Sequence, residues 1–511
     1  MLNSDKKQKA FLPLLMAASL FCAAVLLLIG SKSSPLYPLN DWVDVNCFMT
    51  MGRGILAGKV PYRDLYEQKG PVLYFLFALS ALPVKTGYLG VWITEVISFA
   101  LFLFYSGRIA ALYLKHRGFV WLILPVLGFL VCLAPAFDMG GGVEELHLCC
   151  FVLSLFYILR ALQEKRLMKA WESLLIGACT AAAFWSKYTF CGFYAGLVVL
   201  VLIWYLSRKE LKRLGLTVLH YLGGFAAVTL PVLLYFWMNH ALDDLIQAYF
   251  INNITLYART EKSAFEYAYT SLGLTFKRNF LYSVLWIPGG LLVLIGFIRH
   301  WKESLAVLLS FAGLVLTTYM RSPGYIYYGL VLAPYALAGM IMILLIPDRL
   351  LARFTGKKAA SRVWVGWKAG YAALLILMLT VLSLLLEQHS SNTYAMSGRY
   401  GETPQARFAA IIREVPDAAV YNYRFLDGGF YYAAGVLPVN RFFCHFNIDL
   451  EEQDTEARSL VESGRFDFIV TRTNKLPSSL VEKGGYELVC EASRPYSSPD
   501  KDYNYYLYRR K

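Results

Sequence analysis

The stretch PVLYFLFALSALPV, residues 71–84, decides how the rest of the chain is threaded. It is apolar, but a spanning helix needs about 20 such residues, so it is too short to cross a bilayer unaided. Read as a juxtamembrane or re-entrant helix, it leaves apolar runs at roughly 11–30, 88–112, 119–136, 147–162, 171–185, 189–206, 215–238, 280–298, 303–320, 326–346 and 369–387. Basic residues punctuate these runs: Lys6/Lys7/Lys9, Lys115/Arg117, Lys165/Arg166/Lys169, Arg208/Lys209/Lys212/Arg213, Arg299/Lys302, and Arg349, Arg353, Lys357, Lys358 and Arg362. With the N-terminus in the cytoplasm, about eleven crossings place every basic run on the cytoplasmic side, as the positive-inside rule favours. A crossing by 71–84 would turn Lys115, Arg117 and all later runs outward.

Composition agrees with a membrane chain. Of 511 residues, 57% are hydrophobic and 16% charged, against about 45–50% apolar in soluble domains. The net charge of +14 does not indicate nucleic acid, because the cations sit in short runs between apolar segments. The first apolar run follows three lysines but no A-x-A-like cleavage site, so it reads as a retained helix. Most of the nine cysteines lie in apolar runs and read as small buried residues. Cys444 and Cys490 lie in the polar C-terminal region, where a disulfide would require an extracellular location.

Two domains are expected. Residues 1–387 form a polytopic α-helical membrane domain, and residues 388–511 a small extracytoplasmic α/β domain. Within the latter, TPQARFAAIIREV and TEARSLVESG read as helices. AAVYNY, FDFIVTR, YELVCEA and YNYYLYRR read as strands.

The face opposite the basic runs collects 31–87, 137–146, 186–188, 239–279, 321–325 and the chain after 388. Asp41 and Asp44 follow the first run there, and an amphipathic interfacial helix is expected from Val43. Either aspartate serves equally well as an N-cap. In FDMGGGVEEL, Glu144 and Glu145 open the next run, where carboxylates are expensive unless used or solvated. Lys187 and Arg321 lie at helix ends. They either snorkel to the headgroups or meet the phosphate of an anionic lipid.

The stretch NDWVDVNCFMTMGRGILAGKVPYRDLYEQKGPVLYF, residues 40–75, resembles the GT-C superfamily of polyprenyl-phosphate-sugar-dependent glycosyltransferases. The similarity is to the bacterial group akin to protein O-mannosyltransferases and the aminoarabinose transferase ArnT. Its carriers are an acidic residue after the first helix (Asp44 or Asp41), the turn Gly58 to Asp64, and Lys69-Gly-Pro71. GGGVEEL is similar to the family's second acidic site, which several relatives build with a single Asp, so Glu144 and Glu145 remain alternatives. Lys187 and RSPGYIYYGLVLAP are similar to its phosphate-contacting positions.

The resemblance implies an inverting transfer of a sugar from a polyprenyl-phosphate donor to a lipid, glycan or protein acceptor at the extracytoplasmic face of the cell membrane. Asp44 would be the general base, with Asp41 the other candidate. Glu144 or Glu145 would position the acceptor. Lys69, Lys187, Arg321 and Tyr325 would meet the lipid phosphate, where negative charge grows in the transition state. No cofactor is certain; a divalent cation, if used, would fall to Asp44 and Glu145. The alternatives are a transporter or lipid flippase, and a cell-surface polysaccharide polymerase or ligase. Transporters place their charges near the midplane, whereas here only Glu95 and Arg108 interrupt the second run. The polymerase reading rests on His240, Arg259 and Arg278.

Overall fold

The structure, a computed structural model, describes residues 2–83, 87–256, 263–320, 324–354, 368–494 and 503–511. Arg321, a candidate phosphate contact, lies outside the described residues, as do Arg259, Lys357, Lys358 and Arg362. The chain folds as two compact units. One holds residues 1–31, 94–229 and 260–390; the other holds 32–93, 230–259 and 391–511.

Among the described residues, nine helical segments are long and apolar enough to cross a membrane. The two remaining expected crossings are the shorter apolar helices Arg117–Leu133 and Ala170–Phe184. All eleven expected runs are therefore helical, and the chain is a polytopic helical membrane protein. We label the helices α1 (Leu2–Gly30), α2 (Val43–Leu56), α3 (Pro71–Ala81), α4 (Leu89–Tyr113), α5 (Arg117–Leu133), α6 (Val143–Gln163), α7 (Ala170–Phe184), α8 (Cys191–Ser207) and α9 (Leu211–Met238). Next come α10 (Ala264–Arg278), α11 (Trp286–Arg299), α12 (Trp301–Tyr319), α13 (Ala336–Phe354) and α14 (Lys368–His389).

In the first unit, α8 and α12 approach backbone to backbone. A Cβ at Gly196 would lie 2.1 Å from the Leu309 carbonyl oxygen, and one at Gly192 2.2 Å from that of Gly313. Lipid supplies no hydrophobic drive for helix pairing, so small residues that allow dispersion contacts along the backbone do this work. Thr317 Oγ1 adds a hydrogen bond to the Thr189 carbonyl (2.5 Å), fixing the turn between α7 and α8 against α12.

The second unit gathers three segments that are far apart in the chain. Its sheet has the order β1-β2-β4-β3, with β1 Val420–Tyr423, β2 Phe468–Arg472, β3 Tyr486–Arg494 and β4 Tyr503–Arg510. β1 and β2 are parallel, and the other two pairs are antiparallel. The four strands coincide with those expected from the Val-, Tyr- and Phe-rich runs. Pro404–Ile412 and Glu451–Glu462 are the two expected helices, the first capped by Thr403 Oγ1 accepting from the Ala406 N–H at 3.2 Å.

α3 settles the threading within this unit. It has 11 residues, about 16 Å of helix at 1.5 Å per residue, roughly half a hydrocarbon core. Pro71 starts it at a position that has no use for an N–H. Both of its flanks bind the same C-terminal segment. Before it, the Tyr66 N–H donates to the Arg441 carbonyl (2.9 Å) and Arg441 Nε donates to the Tyr62 carbonyl (2.8 Å). After it, the Tyr432 hydroxyl donates to the Gly87 carbonyl. A helix whose two ends meet one segment on one side of the membrane does not cross it. The same reasoning puts 32–93 and 391–511 on a common side, with an even number of crossings between them.

Candidate active site

In the second unit, α2 begins with Asp44 in its first turn, where the helix N-terminus favours a carboxylate. Most of the helix after Asp44 is buried, from Val45 to Gly52. A Cβ at Gly52 would meet the Phe77 backbone at 2.6 Å, so α2 is held directly on α3. Asp44 is half-buried. Asp41 is enclosed and doubly paired, with Lys32 Nζ at 3.0 Å and Arg494 Nε at 3.4 Å. Burial would raise its pKa, but the two cations outweigh burial and hold it below the usual carboxylate range. The structure thus separates two aspartates that are equivalent in the sequence. Asp41 is an enclosed counter-ion and a weak base; Asp44 stands in the first turn of α2. Lys32 directly follows the first run yet carries no motif that marks it, and Arg494 lies hundreds of residues away with no local signal.

The Lys69 backbone closes the turn before α3. Its N–H donates to Glu67 Oε2 (2.7 Å), and its carbonyl accepts from the hydroxyls of Tyr62 (2.6 Å) and Tyr74 (2.8 Å). The Tyr74 hydroxyl also binds Glu67. Glu67, which no sequence pattern singles out, therefore rigidifies the Lys-Gly-Pro turn.

Farther along this unit, Asp427 Oδ2 accepts from Thr50 Oγ1 (2.6 Å) and Oδ1 from the Gly429 N–H (2.8 Å). Burial pushes its carboxyl up to about 6 despite these donors. Cys444 Sγ lies 4.0 Å from Cys47 Sγ, so the thiol beside Cys444 is that of Cys47; Cys490 sits in β3.

In the first unit, α6 carries the two glutamates in its first turn, after Gly140 (φ +81°) and Gly141 (φ +87°). The chain needs glycine here on two counts. Left-handed φ disfavours side chains, and a Cβ at Gly140 would lie 2.4 Å from Ser31 Oγ and 2.6 Å from Glu95 Oε1. The two glutamates then diverge. Glu144 Oε1 accepts from Lys187 Nζ at 2.5 Å, both side chains being buried. Glu145 Oε2 accepts from the Gly141 N–H at 2.9 Å, and its carboxyl neighbours Glu95. Ser31 Oγ donates to Glu95 at 2.8 Å. Glu95, an isolated charge in an apolar run of sequence, is thus part of the acidic loop.

Lys187 also lies 3.5 Å from the centroid of the Tyr328 ring. Tyr325, the remaining candidate from that loop, stacks on Tyr327 (centroids 5.6 Å apart, 19° between planes) and meets Tyr328 edge-on at 5.5 Å. A lysine faced by a carboxylate and an aromatic wall is a contained cation, suited to an anion that replaces or extends its pairing. Arg278 Nη1 donates to the Gly324 carbonyl (3.1 Å) in this loop. Among the described residues, no group of three or more His, Cys, Asp or Glu side chains is placed to hold a metal ion.

No protein-family model and no curated protein matches the sequence. Solved structures do match the fold. The crystal structure of ArnT from Cupriavidus metallidurans bound to undecaprenyl phosphate superposes with a TM-score of 0.62, over 95% of this chain and 97% of that one, at 12% identity. The fold is that of ArnT. The apo form of ArnT from the same organism gives a TM-score of 0.57 with the same coverage at 13% identity. The likeness to ArnT extends over membrane and C-terminal regions alike, and the expected polytopic helical fold with a small C-terminal sheet is found over nearly the whole chain. At this identity the likeness to ArnT is one of fold.

Proposed function

We propose that the protein is a membrane glycosyltransferase that moves a sugar from a polyprenyl-phosphate donor to an acceptor hydroxyl at the extracytoplasmic face. The observation that carries this reading is the fold shared with a protein solved in complex with undecaprenyl phosphate. The acceptor oxygen attacks the anomeric carbon, the bond from that carbon to the phosphate oxygen breaks, and the configuration inverts. Asp44 takes the acceptor proton, and polyprenyl phosphate leaves. Lys187 meets the growing phosphate charge, exchanging part of its pairing with Glu144 for the phosphate oxygens; Lys69 and Arg321 add positive charge, and Tyr325 and Tyr328 wall the headgroup. Glu145 orients the acceptor. No step is routed through a metal ion. If a divalent cation takes part, Asp44 and Glu145 are its candidate ligands, and transfer would be lost on chelation with EDTA.

The deciding assay supplies membranes containing the protein with radiolabelled polyprenyl-phosphate hexoses and pentoses and a panel of acceptors. Release of polyprenyl phosphate with label on the acceptor is the expected result. No release with any donor and acceptor would favour the transporter reading.

A further inference from the structure

The first unit contains a cavity of about 790 Å³ that the proposed chemistry does not use. It opens among the C-terminal ends of α4, α6 and α11, the start of α12, and α13. α6 measures its separation from the glutamates. Glu144 lies in the first turn and Gln163, which lines the cavity, ends the helix. Nineteen steps at 1.5 Å put them about 28 Å apart, close to the thickness of a hydrocarbon core. This cavity therefore belongs to the opposite membrane face from Glu144 and Lys187.

Its lining has two characters. Leu155, Leu159, Leu292 and Leu337 form apolar wall, while Lys165, Arg299 and Arg349 bring three cations. None of the three has a carboxylate within salt-bridge distance among the described residues. The one buried acid here, Glu303, is already satisfied. It accepts from the Tyr113 hydroxyl at 2.9 Å and pairs with His300 Nδ1 at 3.3 Å. The cavity thus offers a hydrocarbon surface beside an excess of positive charge, three cations against the one Glu303 carboxylate. A free anion would gain nothing from the leucines, and an uncharged lipid nothing from the cations.

We propose that this cavity binds an anionic glycerophospholipid of the leaflet on the basic side of the membrane, its phosphate met by Lys165, Arg299 and Arg349 and an acyl chain lying along the leucine wall. Basic pockets between transmembrane helices recognise lipid headgroups in this way. The site is separate from the one that would take the sugar donor, and it holds whether or not transfer occurs.

Native mass spectrometry of the full-length protein tests this, with phosphatidylglycerol and phosphatidylethanolamine of matched acyl chains in equimolar mixture. Retention of phosphatidylglycerol at least fivefold over phosphatidylethanolamine is expected. The K165Q/R299Q/R349Q variant should lose that preference, and Leu159→Trp, which fills the cavity, should reduce retention of both lipids. Equal retention by the unaltered protein would overturn the proposal, as would an unchanged preference in the triple variant. Displacement of the lipid by millimolar inorganic phosphate would show that the site reads a free anion, and would overturn it too. The wild-type comparison stands by itself if a variant does not fold, and none of these readouts depends on sugar transfer.

Discussion

Asp41 and Asp44 are three residues apart and call for opposite experiments. Asp44 stands in the first turn of α2, and Asp44→Asn keeps the side chain's size while removing the carboxylate that would take the acceptor proton. Transfer should fall by at least a hundredfold, within the range general-base catalysis supplies, while the thermal midpoint stays within a few degrees. Retained activity would remove Asp44 from the mechanism. Asp41→Asn leaves Lys32 and Arg494 buried without their counter-charge, a change that costs about 3–5 kcal/mol. It should appear as low yield and a lowered midpoint in detergent; an unchanged midpoint would contradict the ion-pair assignment. Asp427 carries a pH signature. Its folded pKa is raised to about 6 against about 3.9 unfolded, so the folded state binds more protons between those values. Its contribution therefore lowers stability as pH rises from about 4 to 6 and is constant above, about 3 kcal/mol in all. Midpoints of wild type and Asp427→Asn, measured from pH 4 to 7, should diverge over that window; parallel curves would refute it. At this scale the sequence told the types but not the partners. The acids and Lys187 could be picked out because ionisable groups are rare beside apolar runs. The Glu144–Lys187 and Asp41–Arg494 pairs join positions 43 and 453 residues apart, and nothing local records such a pairing.

Elements were easier to read, because length and apolarity alone define a crossing. The helical runs and the four strands fall where residue patterns place them. Less visible was why α8 and α12 pair. GFYAG at 192–196 carries a small-xxx-small spacing, and the structure shows its use. Gly196→Val would push a side chain into the Leu309 carbonyl, part α8 from α12, and cost about 1–3 kcal/mol or more. Gly290→Ala in α11, where an added Cβ meets nothing within 4 Å, should be neutral or gain up to about 1 kcal/mol. Thermal unfolding of the two variants side by side measures the contrast, and equal midpoints would deny the close approach. In the second unit, Cys47 and Cys444 are the thiols poised to join. Incubation with a small-molecule disulfide should link them by exchange and release the reduced small thiol. A tryptic crosslink between Cys444 and Cys490 would be the wrong pair.

For the molecule as a whole, parity is the quantity that matters. The contacts of the segments on both flanks of α3 with the Arg441 and Tyr432 region fix which segments share a side. A cysteine placed at Arg208, in a basic run that the positive-inside rule assigns to the cytoplasm, should resist an impermeant maleimide in intact cells and react after permeabilisation. Labelling from outside would reverse the orientation. Two distant loops combine with the C-terminal region into one compact unit, and composition could not reveal this. It marks a boundary at 388, but polar loops far upstream look the same whether they pack with the C-terminal region or stand apart from it.

The composite second unit has a consequence for biogenesis. Its first segment, 32–93, leaves the ribosome before most of the membrane helices exist, and its sheet is completed only by the final strand. Until β3 arrives with Arg494, the Asp41 carboxylate just before α2 lacks that ion-pair partner. An early loop is thus finished by residues more than 400 positions later, and a nascent chain halted before β3 would carry α1 to α14 yet lack the Arg494 partner of Asp41.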